Sequence, residues 1–388
     1  MLLSLADRQA RGKVTVTYTR LSERMNLHMK KGTRLMVLVQ TAVLALGIFL
    51  IYTIVADRGA SGSGDTTASS TTAATTTAAT TVPPTTLPPQ TQPPQTTGPV
   101  EKIDPGVLTC DYAIVADGPT GTVLYALGSQ NDRIYPASIT KLFTAWVALQ
   151  YLEPGDPCTA GEELNFVASD SSRAFIYLGQ TVTAEMAVQG MLMSSGNDAA
   201  YILAAAAGRK ITGSDGIDAA EAVKVFVKEM NSQAKALGLT GTHFMNPDGY
   251  HDDNHYTTME DLVVMGQLAM LDDTIRKYSS MAKAEVQYLS GESNTWNNTN
   301  LLIHEDSEYY MAEACGLKTG HTNASGYCLL SAIRLDDGYA IIGVFGTPSF
   351  NDRFSDTRLL AEAYLGIDWG EPVPEDATPE STGDTPAP

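Results

Sequence analysis

Three short motifs follow one another along the chain, and their order constrains its fold more than any other feature. They are Ser138-Ile-Thr-Lys141, Ser195-Gly-Asn197 and Lys318-Thr-Gly320. Each is weak alone, because Ser-x-x-Lys also occurs at Ser232–Lys235 and Ser280–Lys283. Together they contain a hydroxyl nucleophile, an amine base, a second hydroxyl, an amide and a cation, which are the groups of an acyl-enzyme site. Such a site forms only where one domain brings the three motifs to a single groove.

The N-terminal region has the charge and hydropathy pattern of a membrane anchor. Residues 1–34 carry eight Lys and Arg against two carboxylates, and residues 35–56 are mainly apolar. At about 1.5 Å per residue, a helix over this run spans the roughly 30 Å of a bilayer core. The positive-inside rule then places the N-terminus in the cytoplasm and everything after residue 57 outside. A cleavable secretory signal is the alternative, but the long apolar run and its poor cleavage sequence favour an uncleaved anchor.

The segments that flank the central region contain few of the large apolar residues that form a core. Residues 57–105 are rich in Thr, Ala and Pro, and residues 371–388 in Pro, Glu, Asp and Thr. Neither can offset the entropy of ordering, so we expect a disordered tether and an acidic disordered tail around one domain over residues 106–370. The net charge is −19, of which residues 1–34 contribute +6, so the remainder carries −25. This charge excludes nucleic acid as a partner.

Strand-like runs lie at both ends of the predicted domain, with helical sequence between them. The predicted strands are Tyr112–Ala116, Thr122–Ala126, Gly316–His321, Tyr327–Arg334 and Ala340–Phe345. Turn sequences between neighbouring runs indicate hairpins. The predicted helices cover residues 141–152, 183–206, 217–237 and 352–365. The fold class is therefore α/β in the α+β sense: an antiparallel five-stranded sheet with flanking helices and an inserted helical region, preceded by one transmembrane helix.

The first motif has the spacing of a serine beside its base. Pro136 suits the start of a helix, so we expect Ser138 at the positive helix end and Lys141 on the same face one turn later. An amine takes the serine proton only when it is uncharged, and burial and a second nearby cation both favour that state. A capping serine followed by a solvated lysine gives the same tetrapeptide, so the prediction depends on the three motifs together.

The other two motifs supply polar groups from a helix junction and a strand. Ser195-Gly-Asn197 is a polar break within apolar helical sequence, where its hydroxyl and amide can face a cleft. Lys318-Thr-Gly320 lies on a predicted strand, and its glycine lets a substrate backbone approach closely. An extended peptide can pair with such a strand edge, while the backbone N–H groups of Ser138 and His321 form an oxyanion hole.

With their flanking residues, these motifs resemble the D-alanyl-D-alanine carboxypeptidases, the low-molecular-mass penicillin-binding proteins of the serine DD-peptidase family. The resemblance covers about residues 106–366. Its matching stretches are Tyr135-Pro-Ala-Ser-Ile-Thr-Lys141, Leu192-Met-Ser-Ser-Gly-Asn-Asp-Ala-Ala200, Gly238-Leu-Thr-Gly-Thr-His-Phe-Met-Asn-Pro-Asp-Gly249, Trp296-Asn-Asn-Thr-Asn-Leu-Leu302 and Gly316-Leu-Lys-Thr-Gly-His-Thr322. It implies a serine β-lactamase/DD-peptidase-like fold and a cell-wall hydrolase that trims peptidoglycan stem peptides. It also implies inhibition by β-lactam antibiotics, with neither a cofactor nor a metal.

The resemblance assigns a role to each matching side chain of the reaction itself. It implies that Ser138 is the acylated nucleophile and that Lys141 is its base. Ser195 and Lys318 would relay the proton to the leaving D-alanine, with Lys318 also counted among the substrate-binding groups.

The remaining assignments concern substrate binding. Asn197 would hold the peptide, and Thr319 and Arg353 would bind its terminal carboxylate. His321 takes part through its backbone alone. The Arg353 assignment comes from the short segment Asn-Asp-Arg-Phe.

Two alternative functions share these residues. A class A β-lactamase uses the same motifs with a deacylating glutamate after Ser-x-Asn, whereas Glu162-Glu-Leu-Asn165 precedes Ser195. A catalytically silent wall-binding module would keep the cleft for recognition alone.

The four cysteines show no metal-type spacing. Cys315 and Cys328 flank the third motif. Their positions are compatible with a disulfide across a hairpin and equally with two free buried thiols.

Overall fold

The computed structural model describes residues 103–368. The predicted cytoplasmic segment (1–34), the apolar run (35–56), nearly all of the tether (57–105) and the acidic tail (371–388) lie outside these residues. Between residues 103 and 368, no helix is both long and apolar enough to cross a membrane.

Nine strands and seven α-helices make up the described region, residues 103–368. The strands are β1 (Tyr112–Asp117), β2 (Val123–Leu127), β3 (Pro157–Thr159), β4 (Thr181–Thr183), β5 (Lys283–Gln287), β6 (Ser293–Asn297), β7 (Ala314–Thr322), β8 (Gly326–Leu335) and β9 (Gly338–Thr347). The helices are α1 (Thr140–Ala148), α2 (Ala184–Met193), α3 (Asn197–Thr212), α4 (Ala219–Ala236), α5 (Met259–Leu271), α6 (Asp273–Ser279) and α7 (Asp352–Leu360). A 3-10 turn, Ala137–Ile139, precedes α1, and a π-helical turn, Ala361–Leu365, follows α7.

The main sheet has five antiparallel strands in the order β2-β1-β9-β8-β7. β1 pairs with β9, and Ile114 lies opposite Gly343, so that the two ends of the domain meet at the centre of the sheet. This architecture confirms the predicted α+β fold with a five-stranded antiparallel sheet and an inserted helical region. Two small two-stranded sheets, β3 with β4 and β5 with β6, were not predicted.

The two faces of the sheet contact different layers, because successive side chains of a strand point to opposite sides. On β1, Ile114 and Ala116 belong to the large core that contains the inserted helices. Ala113 and Val115 belong to a smaller core on the other face, together with Leu360 of α7. Full burial of a side chain such as Ile114 contributes about 1.5–3 kcal/mol to the stability of the sheet.

The predicted helix over residues 183–206 is two helices, α2 and α3, and the second motif lies at the break between them. Thr183 begins α2 by accepting a hydrogen bond from the backbone N–H of Met186 at 3.1 Å. The predicted helix over 217–237 corresponds to α4, where Asp218 caps the N-terminus in the same way. Helix α1 ends four residues earlier than predicted, at Ala148.

The four cysteines are free thiols in the described region, so the bridge considered between Cys315 and Cys328 is not formed. Cys328 on β8 lies opposite Gly320. The pairing of β7 with β8 is irregular between Ala314 and Leu317, which includes Cys315. The two sulfurs therefore do not face one another across the hairpin.

Candidate active site

The three motifs converge on one cleft of about 680 Å³. Among the predicted site residues, Ser138, Ser195, Asn197, Thr319, His321 and Arg353 line this cleft. Lys141 and Lys318 are fully buried beside it. The serines of the other two Ser-x-x-Lys sequences, Ser232 and Ser280, do not line the cleft.

Backbone strain occurs at all three motifs. Four non-glycine residues of the described region have a positive φ, and three of them are Ala137 (48°), Ser195 (57°) and Leu317 (77°). Ala137 precedes the first motif serine and Leu317 precedes the motif lysine. Each such residue costs about 1–3 kcal/mol and persists only where the surrounding structure enforces it. In each motif, the strain therefore lies at a motif residue or directly before one.

The first motif places its serine in the 3-10 turn immediately before α1, and the helix itself begins at Thr140. Nζ of Lys141 lies 2.7 Å from Oγ of Ser138 and also donates to the backbone carbonyl of Asp248 at 2.6 Å. Burial lowers the pKa of Lys141 to about 8, although the carboxylates of Asp248 and Asp198 oppose this shift. A neutral amine is therefore accessible near neutral pH, within reach of the hydroxyl proton.

Gly249 packs directly against the turn that carries the serine. Its φ is +79°, and a Cβ at this position would lie 1.8 Å from the carbonyl oxygen of Ala137. The side chain of Asn246 accepts from the N–H of Gly249 at 2.8 Å and so fixes this loop. Only glycine permits both the left-handed backbone and the close approach to the turn that carries Ser138.

A neutral histidine joins the same loop to α1. Nε2 of His255 lies 2.9 Å from Oγ1 of Thr140, and its Nδ1 accepts from the N–H of Met245 at 3.2 Å. Burial lowers the pKa of His255 to about 3, so the ring is uncharged at neutral pH. Sequence reasoning missed this residue, because the link spans 115 positions of the chain.

The second motif forms the opposite wall at the junction of α2 and α3. The N–H of Asn197 donates to the carbonyl of Ser172 at 2.9 Å. Its side-chain oxygen is buried and has no hydrogen-bond partner within residues 103–368. Such an atom is costly unless a ligand satisfies it, so this amide is suited to a peptide group in the cleft.

The third motif runs along β7 past the serine. Nζ of Lys318 donates to the carbonyl of Thr319 at 3.0 Å, and Oγ1 of Thr319 lies 2.6 Å from Oγ1 of Thr299. Burial, followed by repulsion from Lys141 and Arg353, holds the pKa of Lys318 well below its usual range. A Cβ on Gly320 would lie 3.3 Å from the backbone N of Ser138, so β7 closely approaches the nucleophile turn.

Arg353 extends from the first turn of α7 into the cleft. Its Nη1 donates to the carbonyl of Gly320 at 3.3 Å, and its guanidinium stacks 4.4 Å from the ring centre of Phe350. Nε is buried and has no hydrogen-bond partner in the described region. Burial lowers the pKa of Arg353 to about 10, which leaves the group charged at neutral pH. An unsatisfied guanidinium donor of this kind is suited to a carboxylate.

The glutamate that would support a β-lactamase is absent from the cleft of the described region. Glu163 is buried and accepts from the N–H of Gly161 at 2.6 Å. Among residues 103–368, none of those that line the cleft is a glutamate. In the same part of the chain, no group of three or more His, Cys, Asp or Glu is arranged to hold a metal ion.

The cleft contains a serine hydroxyl beside a buried lysine amine, together with an arginine. This arrangement defines the class of enzymes that form an acyl-enzyme on the serine of a Ser–Lys pair. The chain belongs to the D-alanyl-D-alanine carboxypeptidase family, peptidase family S11, whose model matches residues 100–349. This membership confirms the resemblance found in the sequence.

Individual relatives agree with the family match. D-alanyl-D-alanine carboxypeptidase DacF of Bacillus subtilis is 30% identical over 258 residues, which cover 65% of this chain and 61% of the relative. DacA of Escherichia coli K12 is 28% identical over 300 residues, which cover 73% and 66%. The crystal structure of the Streptomyces K15 DD-transpeptidase matches with a TM-score of 0.60 at 29% identity, over 67% of this chain and 98% of that one. The chain thus spans somewhat less than two thirds of the length of these two carboxypeptidases.

The lowered pKa of Lys141 predicts the pH dependence of acylation. We expect kcat/KM to rise with pH through an apparent pKa near 8, because only the neutral amine accepts the serine proton. Asp248→Asn keeps the side-chain acceptor for the N–H of Tyr250 but removes a charge that stabilises the ammonium form. The apparent pKa should therefore fall in this variant. Asp253→Asn is the control, since that side chain is 87% exposed. An unchanged or raised pKa in Asp248→Asn contradicts this prediction.

Proposed function

We propose that this protein is a serine-type D-Ala-D-Ala carboxypeptidase that removes the terminal D-alanine from peptidoglycan stem pentapeptides. The observation that carries the proposal is the 2.7 Å contact between Oγ of Ser138 and Nζ of the buried Lys141. Arg353 lines the same cleft and has a free guanidinium donor. The names of the relatives, D-alanyl-D-alanine carboxypeptidases and a DD-transpeptidase, support this substrate class.

In the proposed reaction, Arg353 and Thr319 bind the terminal carboxylate, and Asn197 holds the preceding peptide group. Lys141 takes the proton of Ser138 as its oxygen attacks the carbonyl carbon between the two D-alanines. The N–H groups of Ser138 and His321 stabilise the oxyanion that forms.

Collapse of this intermediate breaks the peptide bond and leaves the peptide esterified to Ser138. Ser195 and Lys318 relay a proton to the nitrogen of the leaving D-alanine. Water then hydrolyses the ester and returns the hydroxyl to its starting state. A β-lactam antibiotic would acylate the same oxygen and would remain attached, since no glutamate of the described residues lines the cleft to act as a base.

We also propose that residues 35–56 anchor the protein in the cell membrane, with residues 1–34 in the cytoplasm and the catalytic domain, residues 106–370, outside. Eight Lys and Arg precede the apolar run, and the Thr- and Pro-rich segment 59–100, in which Asp65 is the only charged residue, supports a tether between membrane and enzyme. Fractionation of cells tests this arrangement, because activity should sediment with membranes for the full chain and become soluble once residues 1–56 are removed.

Release of free D-alanine tests the proposed reaction. The full-length protein is offered a pentapeptide ending in D-Ala-D-Ala and the same peptide with a C-terminal amide. We expect release from the acid and a loss of about 10- to 100-fold with the amide, because the Arg353 guanidinium then lacks its carboxylate partner. No release at neutral pH from folded protein would refute the proposal.

Labelling with a fluorescent penicillin separates the remaining readings. A stable adduct supports the peptidase, rapid turnover of the drug supports the β-lactamase, and no labelling supports the silent binding module.

A further inference from the structure

The cleft is electrically asymmetric. Arg353 is the only arginine and Asp170 the only carboxylate among the described residues that line it. Arg353 is on α7, whereas Asp170 is on the connection between β3 and β4, close to the second motif wall. No Lys, Arg or His of residues 103–368 forms an ion pair with Asp170, so its charge remains available to a ligand.

The carboxylate of Asp170 is held in place from across the cleft. The hydroxyl of Tyr250 donates to Oδ1 of Asp170 at 3.1 Å and lies 3.4 Å from Oδ2. Tyr250 directly follows Gly249, the residue that packs against the nucleophile turn. This contact joins the two walls, and it leaves the carboxylate with further lone pairs for a second donor.

Polar groups at the start of α3 hold the residues that follow Asp170 in the chain. The carboxylate of Asp198 accepts from the N–H of Ala174 at 2.7 Å and from that of Ile176 at 3.0 Å. The carbonyl of Ser172 accepts from the N–H of Asn197 at 2.9 Å. Asp170 is therefore positioned relative to the substrate-binding amide, although its own side chain is exposed.

A ligand that uses both charged groups of this cleft carries a carboxylate for Arg353 and a cation for Asp170. On the proposed function, the terminal D-alanine lies toward Arg353 and the scissile bond lies at Ser138. The extended peptide chain then continues toward the wall that carries Asp170. The side chain of the residue before D-Ala-D-Ala lies near that wall. An amine on that side chain would meet the carboxylate of Asp170.

We propose that Asp170, positioned by Tyr250, binds the side-chain amine of a diamino acid that precedes D-Ala-D-Ala. Asp170 is thus a specificity-determining residue that acts on substrate choice and takes no part in the chemical step. The inference rests on the proposed function, since it requires a D-Ala-D-Ala peptide in the cleft.

Two tripeptides test this inference with the full-length protein. One is Nα-acetyl-L-Lys-D-Ala-D-Ala, with a free side-chain amine, and the other is its Nα,Nε-diacetyl derivative. We expect kcat/KM to favour the free amine by about two- to fivefold, mainly through KM, as is typical of an exposed ion pair. In Asp170→Asn the preference should disappear, while turnover of the diacetyl peptide stays within about twofold of the starting protein.

The Asp170→Asn variant tests the charge of this side chain while keeping its shape. Asparagine keeps an acceptor for the Tyr250 hydroxyl, so the contact between the walls survives while the charge is lost. Asp170→Glu should restore part of the preference, and Glu162→Gln, an exposed acid outside the cleft, should retain all of it.

Each possible result either supports the proposed role of Asp170 or contradicts it. An equal preference in Asp170→Asn and the starting protein, or no preference in the starting protein, overturns the role of Asp170 and leaves the proposed function intact. Failure to hydrolyse either peptide overturns the proposed function, and the inference with it.

Discussion

Ser138→Ala should abolish D-alanine release and penicillin labelling, with kcat/KM lower by about four orders of magnitude or more. Within residues 103–368, Oγ of Ser138 is the only hydroxyl oxygen that Nζ of Lys141 contacts, at 2.7 Å. The fold should be unaffected, because Lys141 keeps its hydrogen bond to the carbonyl of Asp248. Thermal unfolding measured beside the kinetics checks this expectation.

The chain provides a matched control for this variant. Ser232 also precedes a lysine by three residues, but it lies on α4 and not in the cleft. Ser232→Ala should therefore keep full activity. D-alanine release by Ser138→Ala at the rate of the starting protein would place the nucleophile elsewhere.

Gly249→Ala should lower the rate of acylation by about 100-fold. The added methyl group would lie 1.8 Å from the carbonyl oxygen of Ala137, so the nucleophile turn or the loop must move by an ångström or more. Such a shift misplaces Ser138 relative to Lys141 and to the N–H groups of the proposed oxyanion hole. The rate of penicillin acylation measures the effect directly.

Gly238→Ala is the control for backbone strain. Gly238 has a φ of +80°, nearly that of Gly249, but a Cβ there meets nothing within 4 Å. Both variants should lose about 1 kcal/mol of stability from the left-handed backbone. Only Gly249→Ala should also lose acylation. Equal kinetics in the two variants would show that the contact with Ala137 does not position the nucleophile.

The sheet could be predicted from sequence because its strands carry local signals. Runs of β-branched and aromatic residues bounded by turn sequences marked all five strands, and the ends of the domain supplied both halves of the sheet. Helix α4 has an apolar stripe with the helical period and was predicted for the same reason. The three motifs then located the cleft, since each one marks chemistry and not only structure.

Helix α5 was not predicted because its residues are buried on nearly all sides, so its sequence does not show the helical alternation of apolar and polar residues. Eleven of its thirteen residues are buried, so no polar face alternates with an apolar one. Asp248, Tyr250 and Asp170 were missed for a different reason. They lie on loops, and their partners are 80 or more positions away in the chain, a pairing that no local pattern records.

The four free cysteines determine how the domain responds to oxidants and reductants. Three of them are buried, and burial raises the pKa of Cys158 to about 12 and that of Cys328 to about 11. Thiolates are the reactive form, so these sulfurs are poor targets for peroxide or disulfide exchange. Folding of the domain thus requires no oxidant, and its activity should be indifferent to added reductant.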